Sequence, residues 1–108
     1  MIAQPAQPAK TCTAAQYAAS QRQAAEASAP AGPVSEADFR RRLAAYPLPV
    51  IRMAATRYGS ARGRSYTKVI DRFVANMRNP HVNQGDDYRV ALGHVEATRS
   101  MMQRLGWI

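Results

Sequence analysis

A chain of 108 residues, 46% hydrophobic but only 7% aromatic, has room for one modest domain and too few large side chains for a deep core. Fifteen Lys and Arg against seven Asp and Glu leave a net charge of +8, and thirteen of the cations are arginine. Guanidinium suits planar contact with phosphate or carboxylate, although a solvated face written in arginine by a GC-rich genome explains the composition equally well. The single cysteine, Cys12, excludes an intramolecular disulfide and a cysteine-built metal site.

No run of about 18 apolar residues is present, so no membrane span is expected. Met1-Ile-Ala-Gln-Pro5 has neither the basic start nor the apolar stretch of a secretory leader. The expected location is intracellular, in a bacterium or in something that infects one.

Residues 1–34 are mostly Ala, Gln, Pro and Ser, with Ile2, Tyr17 and Val34 as their only large apolar side chains. Such a segment buries too little surface to offset its ordering entropy and reads as a low-complexity arm. Thr13 can cap an alanine-rich helix over about 14–28, marginal by itself and with nothing but Tyr17 and small alanine surfaces to dock through. Pro30-Ala-Gly-Pro33 then breaks the chain.

The second segment, residues 35–108, reads as a basic helical domain. Ser35 and Asp38 fit a capping box, and Val34 with Phe39 a hydrophobic staple. Phe39, Leu43 and Tyr46 predict the buried face of a helix over about 36–46, ended by Pro47. A second helix is expected over about 50–58, burying Ile51, Ala54, Ala55 and Tyr58. The basic loop Gly59-Ser-Ala-Arg-Gly-Arg64 follows. The third helix, about 65–78, has the fullest stripe: Tyr66, Val69, Ile70, Phe73, Val74 and Met77. After a polar loop, Asp86 is expected to cap a helix over about 87–105, with Tyr88, Leu92, Val95, Met102 and Leu105 inward. Gly106 suits a Schellman cap that would fold Trp107 back as a lid on the core, the alternative being an apolar plug for a partner. The expected fold is all-α: an array of about four short helices preceded by an extended, partly helical arm.

Catalysis needs a nucleophile, a base and an orienting group in reach of one another. His81 and His94 lie on different elements and read as surface or boundary residues, and capping accounts for Asp86 and Asp87. No phosphate-loop, dinucleotide or metal-spaced motif is present. The expectation is a protein that is not an enzyme, with no cofactor, no metal and no small-molecule substrate.

The arginines carry the functional signal. Residues 35–64 hold Arg40, Arg41, Arg42, Arg52, Arg57, Arg62 and Arg64 against only Glu36 and Asp38. If they share a surface, they can contact phosphates or an acidic protein. The alternative is a solvated face whose arginines pair with local acids. The loop before the third helix is longer than the turn of about three or four residues usual in a helix-turn-helix, so a sequence-specific reader is the less favoured form of nucleic-acid binding.

The stretch Asp86-Asp-Tyr-Arg-Val-Ala-Leu-Gly-His-Val-Glu-Ala-Thr-Arg-Ser-Met-Met102 resembles the ends of small virion and accessory proteins of tailed bacteriophages. Those finish in an amphipathic helix opened by acidic residues and an aromatic, followed by a Leu-Gly step. The resemblance covers about 20 of the 108 residues and carries no functional residue across. It implies a structural component of a large assembly, with other proteins as partners. The residues themselves, apart from the resemblance, offer Ile2 and Tyr17 of the arm and the apolar pair Trp107 and Ile108 as candidate assembly contacts. Capsid, neck and tail components commonly clasp their neighbours with arms of this composition. The second reading is a small basic nucleic-acid-binding protein, a non-specific binder or a regulator.

Overall fold

The computed structural model describes residues 13–108, all helix, turn and loop with no strand among them. The candidate contact Ile2 and the lone Cys12 lie outside the described residues. The helices are α1 (Ala14–Ser28), α2 (Glu36–Leu43), α3 (Leu48–Ala55), α4 (Tyr66–Met77), α5 (Pro80–Asn83) and α6 (Tyr88–Arg104); one turn of 3-10 helix, Thr56–Tyr58, extends α3.

Local chemistry starts and stops these helices. Thr13 and Gln16 form a reciprocal capping box on α1, with bonds of 3.1 and 2.9 Å. The Ser35 hydroxyl accepts from the Asp38 N–H at 3.1 Å, and Ser65 does the same for Lys68 at 3.3 Å. α5 occupies part of the expected loop. Asn79 caps it, Pro80 is preset for its first turn, and Gln84 in the left-handed region ends it.

The core joins α2, α3, α4 and α6. Phe39, Leu43, Ile51, Tyr58, Val69, Phe73, Val74 and Val95 are fully buried. Phe39 meets Phe73 edge-on at 5.3 Å and Tyr88 at 4.7 Å between ring centroids. Burying each large apolar side chain contributes roughly 1.5–3 kcal/mol relative to leaving it in water. Glu36 ties the rim together: Arg78 grips it as a fork at 2.9 and 2.7 Å, and the Tyr88 hydroxyl donates to it at 3.1 Å.

Several expectations are corrected. First, α1 has a surface to dock on. It lies along α6, with Ala25 fully buried against Gly93. Small residues on both helices let the backbones approach, so no large apolar stripe is needed. Second, α6 is buried nearly all round over Val90–Val95, because α1 covers one side and the core the other. His94 is therefore an interior residue.

Third, Asp87 and not Asp86 caps α6, accepting from the Val90 N–H at 2.9 Å. Fourth, Trp107 is not a lid. The Schellman bonds form, Trp107 N–H to the Met102 carbonyl at 2.8 Å and Gly106 N–H to Gln103 at 3.1 Å, with Gly106 at φ 75°. Those bonds fix only the backbone, and the indole remains 58% exposed. Tyr66 and Leu105, expected inward, are also exposed, each at the end of its helix.

Candidate interaction surfaces

The most polar interior point is Asp86, whose side chain has no exposure. It sits where the 3-10 turn, the loop before α6, and α1 converge. The Tyr58 hydroxyl donates to its Oδ2 at 2.6 Å, and Arg22 of α1 reaches its Oδ1 at 2.6 Å. Arg57 stands at 3.9 Å and also donates to Gln21 of α1 at 3.0 Å. His94 Nε2 faces Oδ2 at 3.5 Å, while its ring meets Tyr58 edge-on. Burial, reinforced by the bond to Asp86, raises the Tyr58 hydroxyl well above its ordinary range and keeps it a donor. This cluster anchors α1 to the domain.

His94 makes the anchor acid-sensitive. Burial, and then the positive charges of Arg57 and Arg22, push it down to about 4, against an opposing pull from Asp86. Unfolded, the imidazole titrates near 6.5. Below that pH the unfolded chain takes up a proton that the folded one refuses. Stability from this group is thus full above 6.5 and is lost as pH falls toward 4. Urea unfolding is expected to show about 2 kcal/mol less stability at pH 5 than at pH 7.5. Arg78 and Arg99 hold Glu36 and Glu96 below the ordinary carboxylate range, so their losses come at lower pH. His94→Gln should flatten the slope between those two pH values; an unchanged slope would assign it elsewhere.

The seven candidate arginines do not form one free surface. Arg40 pairs with Asp71 at 2.6 Å and reaches Glu36 at 3.6 Å; Arg41 and Arg42 both hold Asp38, the latter at 3.1 Å. Arg57 turns inward to Asp86. For these four the arrangement is the local pairing that two nearby acids alone could not complete: Asp71 and Asp86 arrive from distant parts of the chain. Arg52, Arg62 and Arg64 differ. Arg52 donates from Nε to the Gly63 carbonyl at 3.1 Å, and none of the three meets a carboxylate among the described residues.

A cleft of about 810 Å³ runs between α1, α3 and the C-terminal half of α6. Tyr17, Met53, Ala97 and Met101 supply its apolar wall, and Gln21, Arg57, His94 and Arg104 its polar points. Tyr17 is 61% exposed there, and Met53 is exposed as well. Leu105, one helical turn after Met101, is exposed, as are Trp107 and Ile108. Sequence reasoning named Tyr17, Trp107 and Ile108 as candidate contacts, and all three are exposed; it did not single out Met53.

Among the described residues no group of three or more His, Cys, Asp or Glu could hold a metal ion, and no helix is long and apolar enough to cross a membrane. Compared with known proteins, the chain matches no family model, no curated protein and no solved structure.

Proposed function

We propose that this protein is a non-enzymatic interaction component of a larger assembly, engaging a neighbouring protein through the cleft between α1, α3 and α6. The observation that carries the reading is the apolar exposure at the cleft. Tyr17 and Met53 in its wall remain open to solvent although the core of α2, α3, α4 and α6 is already closed, and Leu105, Trp107 and Ile108, which follow Met101 in the chain, are exposed too. Large apolar side chains gathered around one cleft mark a contact surface more often than chance exposure does. An amphipathic helix or an extended apolar segment of the partner would fit such a cleft. The resemblance of residues 86–102 to tailed-bacteriophage proteins makes a virion component the specific form of this proposal, located in the particle or the host cytoplasm. The arm's role as a clasp belongs to the same proposal, narrowed by the docking of α1 on its own domain to residues 1–12.

Site-directed photocrosslinking tests the reading. A photoreactive side chain at Met53 or Trp107, in the cells that make the protein, should give one discrete adduct that sediments with a large particle. The same group at Ala37, an exposed position on α2, should give none. Slow sedimentation as a free monomer, with no adduct at Met53 or Trp107, would sink the proposal.

A further inference from the structure

We infer that the loop before α4 and the first two turns of α4 form a second contact surface, for the phosphate backbone of nucleic acid. It lies apart from the cleft and does not depend on that reading. All seven carboxylates of the chain are engaged internally. Glu26, Glu36, Asp38, Asp71, Asp86 and Glu96 are in ion pairs, and Asp87 caps α6. Among the described residues the cations left over are Arg104 at the end of α6 and a group that lies close together. From Leu48 to Ile70 there is no Asp or Glu, while Arg52, Arg62, Arg64 and Lys68 fall in that stretch with the inward-turned Arg57.

The fold gathers these four cations. Arg52 bonds the Gly63 carbonyl from both Nε and Nη2, which carries α3's charge to the loop. Gly63 in turn lies over Lys68: a Cβ on Gly63 would sit 3.1 Å from Lys68 Cβ. Arg62 and Arg64 flank Gly63 and are exposed, as are Lys68 and, one turn further, Arg72. The one carboxylate on this face, Asp71, is drawn away by Arg40. The result is a patch of cations whose charge nothing in the described chain neutralises.

Its chemistry favours nucleic acid. Four of the five cations are arginine, whose planar fork matches two phosphate oxygens at once. Tyr66 stands among them, 42% exposed, a flat ring on which an unpaired base can stack. No donor and acceptor pattern on a long exposed helix face accompanies them, so binding is to the backbone and without sequence preference.

Fluorescence anisotropy with a labelled 20-nucleotide oligothymidine and a labelled 20-base-pair duplex tests this, using the full chain between 25 and 200 mM salt. Binding at low salt should weaken as salt rises, with a log–log slope of about −3 to −5 for the duplex. The triple variant Arg62→Ala/Arg64→Ala/Lys68→Ala should lower that slope by about 2 to 3 and weaken binding at least tenfold at 50 mM salt. Arg41→Ala/Arg42→Ala/Arg99→Ala removes the same charge from paired positions, keeps Arg40 on Asp71, and should leave the slope nearly unchanged. Tyr66→Ala should weaken the single strand more than the duplex. Circular dichroism of each variant establishes that helix is retained. Absence of binding at 25 mM salt, equal losses from the two triple variants, or displacement by polyglutamate as effective as by unlabelled DNA would each overturn the assignment.

Discussion

Gly93→Ala is expected to destabilise the protein by about 2 to 3 kcal/mol and to free α1 from α6. A Cβ on Gly93 would sit 1.9 Å from the Ala25 carbonyl oxygen and 2.8 Å from its carbon. Both are backbone atoms of a helix, so no rotamer change relieves the clash, and α1 must move as a unit. Intrinsic preference points the opposite way, because alanine in a helix interior is better than glycine by about 1 kcal/mol. The sign of the change therefore decides between close helix packing and a solvated α1. Urea unfolding gives the sign. Limited trypsin digestion gives the place: cleavage after Arg22 should accelerate in the variant while cleavage within α4 at low urea does not. A stabilised variant with unchanged digestion would mean that α1 does not rest on Gly93.

The same glycine marks the boundary of what could be read from residues alone. Periodic stripes report one buried face per helix, and they located the contributions of α2, α3 and α4 to the core, with Phe39, Ile51 and Phe73 at its centre. They do not report a second face built from small residues. Gly93 and Ala25 look featureless in sequence, yet they let α1 and α6 approach so closely that a Cβ on Gly93 would overlap the Ala25 backbone. A signal was available: glycine inside a helix costs stability and calls for a packing reason. Tyr66 and Leu105 show the reverse error. Each continues a stripe in register, but at a helix end, where the neighbouring helices no longer cover it.

The charged residues show a second limit. Arg40, Arg41 and Arg42 stand out because they are adjacent in sequence, whereas neutralisation is decided in space. Asp71 lies 31 positions from Arg40 and still pairs with it at 2.6 Å. Once the carboxylates are assigned, the free cations among the described residues are Arg104 on α6 and the group Arg52, Arg62, Arg64, Lys68 and Arg72. Three of the patch cations, Arg52, Arg62 and Arg64, were legible as candidates; Lys68 and Arg72 lie on the exposed side of α4, where charge in the sequence alone marks no contact. The exposed Trp107 was legible as a contact residue under one of two readings. The cap that was expected to turn it inward governs the backbone alone.

Asp86 and Asp87 are chemically identical neighbours in the sequence, and their replacement by asparagine is expected to have very different consequences. Asp87 is an exposed helix cap, and asparagine caps about as well, so Asp87→Asn should cost well under 1 kcal/mol. Asp86 is a buried anion facing Arg22, Arg57 and the Tyr58 hydroxyl. Asparagine preserves its shape and one acceptor but removes the only carboxylate near Arg57, whose side chain is 15% exposed. Breaking a buried pair by neutralising one partner costs about 3 to 5 kcal/mol, because the other charge stays buried and unpaired. Urea unfolding of the two variants at pH 7.5 measures the contrast. The Arg22 partner is 43% exposed and can turn to solvent, so Arg22→Gln should cost less than Asp86→Asn. Combining the two should cost less than their sum, since Arg22→Gln removes an interaction that Asp86→Asn has already weakened. Strict additivity, or equal effects at positions 86 and 87, would show that the anchor of α1 is not this ion pair. The coupling also bears on the cleft, whose walls include Gln21 and Arg57, so loosening Asp86 should open the flank where a partner protein is proposed to sit.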